Sequence, residues 1–211
     1  SQCNAAHTDS SIQRPGNAAG MRQWFWIPLL SFCHGLMLVS MMSWINPMIQ
    51  SKFQTNDFAG SLAFAAMALG IAGGRFLLAG TNLKIDDRIL LSLSSILGGT
   101  AFAIGLLCSN YYGTLLSACI GGFFGCATAP CIFSLVGNRF NGIKSMLYGY
   151  MEGSISLAGL LGPALVGILA DAGLDIHIAL TISPAAAWVM GMTGLLWKLY
   201  DSGLSPGRIS T

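Results

Sequence analysis

Ser145-Met-Leu-Tyr-Gly-Tyr-Met-Glu152-Gly-Ser-Ile-Ser-Leu-Ala-Gly159-Leu-Leu-Gly162-Pro163-Ala-Leu-Val-Gly167-Ile-Leu-Ala-Asp171 decides how the rest of the chain is read. Up to Ala170 its one charged side chain is Glu152. A run this long and apolar is a transmembrane helix candidate. An ionisable group at bilayer depth is costly unless it faces protein or water, so Glu152 needs a reason. At helical spacings of three, four, seven and eleven, Glu152 shares a side with Ser145, Tyr148, Gly149, Ser156, Gly159 and Pro163. Leu147, Ile155, Leu161 and Leu165 fall on the other side. The expectation is that Glu152 points into a packed or watered interior while the leucines meet lipid. Two roles follow: a structural carboxylic acid bonded to a neighbouring helix, or a group that binds a ligand or proton.

The composition agrees. The chain is 54% hydrophobic and 9% charged, with a mean hydropathy of +0.65, whereas a soluble domain is about 25% charged. An all-α integral membrane protein embedded in a lipid bilayer is predicted. A net charge of +2 carries no nucleic-acid signal, because in a membrane chain the placement of charge matters more than its sum. Cys33, Cys108, Cys119, Cys126 and Cys131 fall in or beside apolar runs, and Cys3 in a polar tail, without CxxC or histidine at ligand spacing. They read as small core residues rather than as a metal site or disulfide framework. No Gly-x-Ser-Gly nucleophile and no His-Glu-x-x-His helix occurs, so no catalytic residues, metal or cofactor are expected, and the chain reads as a non-enzyme.

Six spans are predicted, at about 24–50, 58–80, 89–108, 114–137, 145–170 and 176–197, within a transmembrane domain of residues 23–199. Residues 1–22 are polar and read as a disordered cytoplasmic tail or linker, and residues 200–211 as a second tail. The start at Ser-Gln-Cys, without methionine, suggests an internal or processed piece of a longer protein. The first span opens with Trp24 and Trp26, suited to an interface. Its His34 lies roughly 15 Å deep at 1.5 Å per residue, near the bilayer midplane. Glu152, counted from Lys144, lies about 12 Å deep. Near the far end, Trp44-Ile-Asn46-Pro47 either breaks the helix, turning the Asn46 amide towards a ligand, or ends it at the surface.

In the second span Ala66, Gly70 and Gly74 repeat at the four-residue spacing that lets helix backbones approach closely. Arg75 follows, as a snorkelling residue or a gating contact. Ile89–Asn138 is fifty residues without a formal charge, too long for one span. Ser109-Asn-Tyr-Tyr-Gly113 breaks it into a hairpin. The second arm carries Gly121, Gly125, Ala129 and then Pro130, a close-packed helix with a bend. The last span contains Pro184 and the Ala187/Gly191 pair.

Loop charge orients the bundle. Arg14, Arg22, Arg75, Lys84, Arg88, Arg139, Lys144, Lys198 and Arg208 lie on one side and Lys52 on the other. By the positive-inside rule both termini are expected in the cytoplasm.

Gly159-Leu-Leu-Gly162-Pro163-Ala-Leu-Val-Gly167, ending in Asp171, resembles the Gly-Pro helix of the major facilitator superfamily. Gly70-Ile-Ala-Gly-Gly-Arg75 resembles the end of that superfamily's second or eighth helix. Gly125-Cys-Ala-Thr-Ala-Pro130-Cys-Ile-Phe is similar to its tenth helix in the branch that includes fucose permease and the sodium-dependent glucose transporter. The resemblance covers about residues 24–198 and implies one six-helix half, a 3+3 inverted repeat, of a twelve-helix carrier. The polar stretch before the first span looks like the linker joining two halves. Asp86-Asp87-Arg88 stands where the amino-terminal half usually shows Gly-x-x-x-Asp-Arg-x-Gly-Arg. Both features favour the carboxyl-terminal half.

What the resemblance implies is a secondary transporter working by alternating access, with a small polar solute, a sugar on the branch resemblance, held between this half and an amino-terminal half or a second copy. Coupling to an ion or proton, as a symporter, would fall to Glu152 or His34, with Trp44 as a stacking face, Asn46 as an amide and Tyr148 beside them. Arg75, Gly159, Gly162 and Pro163 would serve gating or helix packing. The alternative is a half-transporter that does not transport and acts as a structural or regulatory membrane protein. A channel fits less well: Asn46-Pro47-Met48 is similar to the aquaporin Asn-Pro-Ala motif, but that fold needs two such motifs and there is no second Asn-Pro.

Overall fold

The computed structural model describes residues 25–80, 85–140 and 143–203. The expected tail 1–22, Cys3, Trp24, Lys84 and Arg208, and the side chain of Arg139, lie outside the described residues. Eight helices occur among the described residues: α1 Trp26–Phe53, α2 Asp57–Gly80, α3 Asp87–Leu107, α4 Tyr111–Gly125, α5 Thr128–Arg139, α6 Lys144–Asp171, the single turn α7 Ile176–Ala179, and α8 Ile182–Gly203. They compose six segments long and apolar enough to cross a membrane, with α4 and α5 forming one and α7 and α8 another. The all-α, six-span expectation holds.

Two prolines act differently from one another. The α4–α5 span bends at Cys126–Ala127 because Pro130 has no N–H for the Cys126 carbonyl one turn back. Thr128 Oγ1 donates to the buried Gly125 carbonyl at 2.7 Å. At Asn46-Pro47, by contrast, α1 continues without a break to Phe53 and ends at Gln54 in the left-handed region, φ 50°. The expected helix break there is corrected. Met48 and Ile49 are buried beyond the proline, and Lys52 Nζ donates to the Leu106 carbonyl at the end of α3 at 2.5 Å. Continued packing offsets the missing bond.

Close backbone approach assembles the pairs. The α2–α4 contact runs over Gly70 and Gly74, where a Cβ would meet the Cys119 carbonyl at 2.0 Å and the Phe123 carbonyl at 2.5 Å. The α3–α8 contact runs over Gly99 against Ala187 and Gly191 against Ser92. Arg88 is buried there, 3.9 Å from Asp86, with its guanidinium 5.3 Å from the Trp197 ring. In the α1–α6 contact, Gly35 meets Ile155 and Ala158, Val39 meets Gly159, Ser40 meets Gly162 and Trp44 meets Gly167. Residue numbers rise together along both helices, so α1 and α6 run parallel. Spans one and five of an alternating bundle must do so.

Candidate functional site

The six segments are not equally covered. In the apolar windows of α2 and α6 only 22% and 17% of residues are buried, against 50% to 56% in the other four. Both flank α1, which packs on each. Two charged side chains away from the ends of these helices, Arg75 on α2 and Glu152 on α6, are exposed, and among the described residues neither has a hydrogen bond or ion pair. Glu152 is thus not packed among these six helices, which leaves the watered side of the expectation, and Leu147, expected towards lipid, is corrected to a buried position. The buried face of α6 is Leu147, Met151, Ala158, Gly162 and Val166. Gly35–Ala158 and Ser40–Gly162 fix that rotation because only small residues allow so close an approach. Ser145, Gly149, Glu152, Gly153 and Ser156 are left on the open side.

The remaining expected site residues are dispersed. The α1–α6 register, offset by about 121 residues from the pairs above, places Glu152 level with Ser31 and about one turn, roughly 4.5 Å, from the level of His34. His34 itself is buried, with Nδ1 2.7 Å from Thr128 Oγ1. Trp44 Nε1 donates to the Pro163 carbonyl at 3.0 Å. Asn46 Oδ1 accepts from Gln50 Nε2 at 2.5 Å and stands where a Cβ on Gly60 would have to sit. Tyr148 reaches α5, its hydroxyl 3.4 Å from the Phe133 carbonyl and its ring 5.6 Å from the Phe133 ring. Trp44 and Asn46 are thus engaged in helix packing rather than free as a stacking face and an amide. Of the packing residues, Gly159 and Gly162 lie against Val39 and Ser40, and Arg75 lies beside Ala68, Ile71, Ala72, Phe76 and Ala79 over a shallow open depression on α2.

Residues that sequence reading missed complete the inner layer. Thr128 holds His34, Ser183 Oγ donates to the Met37 carbonyl at 2.5 Å, and the buried Ser31 and Ser40 hydroxyls have no partner among the described residues. Thr128 stands two residues before Pro130, at a bend where free carbonyls were to be expected, and that was its one available signal. Among the described residues no three His, Cys, Asp or Glu side chains converge as metal ligands, and five cysteines are free thiols. The arrangement is a six-helix unit in which the polar, small-residue stripe of α6 that carries Glu152 is turned away from the core.

A family model described as Major Facilitator Superfamily matches residues 28–205. No curated protein matches the chain.

Proposed function

The chain belongs to the major facilitator superfamily, and on that premise, which makes it a multi-pass membrane transporter of small solutes, we propose that it is the carboxyl-terminal six-helix half of a twelve-helix carrier. Both termini face the cytoplasm, and α2 and α6 meet the amino-terminal half across a central path. The solute is small and polar, of the sugar class, and its movement is coupled to a proton or ion that Glu152 binds. The observation that carries this reading is the exposure of Glu152 and Arg75 on the two least covered helices. Left against lipid, each would cost several kcal/mol. Against a second half and a watered path that cost disappears, and alternating access then opens the Glu152 face to one side at a time.

Tyr148 and Ser156 stand on the same side of α6 as Glu152 and supply hydroxyls beside it. His34, bonded to Thr128 behind this surface, is a structural neighbour of the path. The test is to sequence the transcript upstream of Ser1 and to assay the full reading frame for uptake of a sugar panel at several pH values. Six further apolar spans and a saturable, pH-dependent uptake support the reading. A full-length product that assembles in the membrane but moves no solute in the panel favours the structural or regulatory alternative.

A further inference from the structure

Among the described residues Arg75, the one basic side chain of α2, has no counter-ion. It lies on the open side of that helix, five residues before Gly80, about 7.5 Å from that end at the helical rise. Glu152 lies about 12 Å from Lys144, which stands on the same side of the bundle, so the two charges are about one turn apart in depth. α1, packed on both α2 and α6, separates them. α1 and α4, the helices packed most extensively on α2, contain no carboxylate. The one on α2 itself, Asp57, is eighteen residues away, about 27 Å along the helix. The Arg75 charge is felt at His34 on α1 and at Cys126 at the α4–α5 bend. The guanidinium therefore leans toward the α1 side, over a depression of about 540 Å³ lined by Ala68, Ile71, Ala72 and Ala79. Those small side chains leave the N–H donors of its fork accessible.

Resting on the reading above, in which the open faces of α2 and α6 line one path, we propose that Arg75 binds the carboxylate of the carried solute, which is a sugar acid rather than a neutral sugar. Acyl chains offer Arg75 no acceptor, and a neutral sugar offers acceptors without charge. A carboxylate takes two parallel N–H bonds from the guanidinium fork and neutralises it. One arginine matches one negative charge. A phosphate monoester carries about −1.5 to −2 at neutral pH, and α2 and α6 offer no further cation except Lys144 at the end of α6. Glu152 on the facing wall repels the same carboxylate and so sets the solute's direction, with its acid end at Arg75 and its hydroxyls toward Glu152, Tyr148 and Ser156. A snorkelling arginine needs only charge and length, which lysine also supplies, whereas a bidentate site needs the fork.

The test is uptake by the full carrier in liposomes, with glucose, galactose and mannose each set beside its uronate and its 6-phosphate. KM for the preferred uronate should lie about thirtyfold below that for its neutral parent, the equivalent of about 2 kcal/mol. Arg75→Gln should shrink that preference to within about threefold, and Arg75→Lys, which keeps charge and length but not the fork, should recover only part of it. The 6-phosphate should compete more weakly than the uronate. Equal KM for acid and neutral sugar, or a preference that survives Arg75→Gln or is kept in full by Arg75→Lys, overturns the proposal and leaves the carrier reading standing. Stronger competition by the 6-phosphate overturns the carboxylate assignment. An assembled carrier that moves none of these solutes overturns the transport reading and the sugar acid with it. If Arg75→Gln fails to assemble, the wild-type comparison and Arg75→Lys decide.

Discussion

His34 Nδ1 lies 2.7 Å from Thr128 Oγ1, and the same hydroxyl lies 2.7 Å from the Gly125 carbonyl. A threonine hydroxyl has one proton. Given to Gly125, it leaves the oxygen as an acceptor, so His34 must donate from Nδ1 and carry a bare Nε2. One side chain thus seals the carbonyl freed at the α4–α5 bend and fixes an imidazole tautomer on α1. Thr128→Val removes both functions while keeping the shape. The His34 donor and the Gly125 acceptor are then buried unpaired, at about 1–3 kcal/mol. The melting temperature in detergent should fall clearly, and ¹⁵N spectra of labelled histidine should lose the Nδ1–H signature. Thr128→Ser should restore both readouts.

Glu152 behaves oppositely because nothing in this chain holds it. Glu152→Gln should leave stability within about 0.5 kcal/mol, as for an exposed position without partners. Uptake by the full carrier should lose its pH dependence and most of its rate. Unchanged uptake across the pH range would overturn the proton role, whereas a large loss of stability would show that Glu152 is held by a contact the six helices alone do not provide.

Glycines separate the covered helix faces from the open ones. At Gly70 a Cβ would stand 2.0 Å from the Cys119 carbonyl, while at Gly149 and Gly153 no atom lies within 4 Å. Gly70→Ala should force α2 off α4 and cost about 1–3 kcal/mol. Gly149→Ala should instead stabilise the six-helix chain by up to about 1 kcal/mol, the helix propensity gained. In the full carrier the same change should reduce uptake, because Gly149 and Gly153 are spaced for close approach by another helix. Thermal melts of the chain alone, set beside uptake by the whole carrier, read the two effects apart. Improved stability with full uptake would show that no helix docks on that stripe.

The six spans were legible because an apolar run near twenty residues admits few other structures, and Gly70, Gly74 and Gly191 were legible as contact points because small residues at helical spacing have a packing consequence. Rotation was not legible. The same four-residue spacings on α6 allow Glu152 or Leu147 to be buried, and the choice is made by Gly35 and Ser40 on α1, 107 or more residues earlier in sequence. Pro47 was misread for a related reason. Local chemistry says that a proline breaks a helix, and the buried Met48 and Ile49 beyond it carry α1 on. The partners of Trp44 and Asn46 were equally out of reach, since a free amide and a packed one have the same sequence.

Trp44 offers the sharpest division between packing and solute contact. Its Nε1 donates to the Pro163 carbonyl at 3.0 Å, and its ring covers Gly167, where a Cβ would lie 3.3 Å from it. The indole therefore ties α1 to α6 just beyond the proline. Trp44→Phe keeps an aromatic ring and deletes the donor, so stability should fall by about 0.5–1.5 kcal/mol. With the indole committed to α6, KM for the carried solute should stay within about twofold, well under the tenfold that 1.4 kcal/mol of lost contact would give. A tenfold rise in KM at unchanged melting temperature would mean that the ring stacks on the solute and that the bond to Pro163 opens during transport.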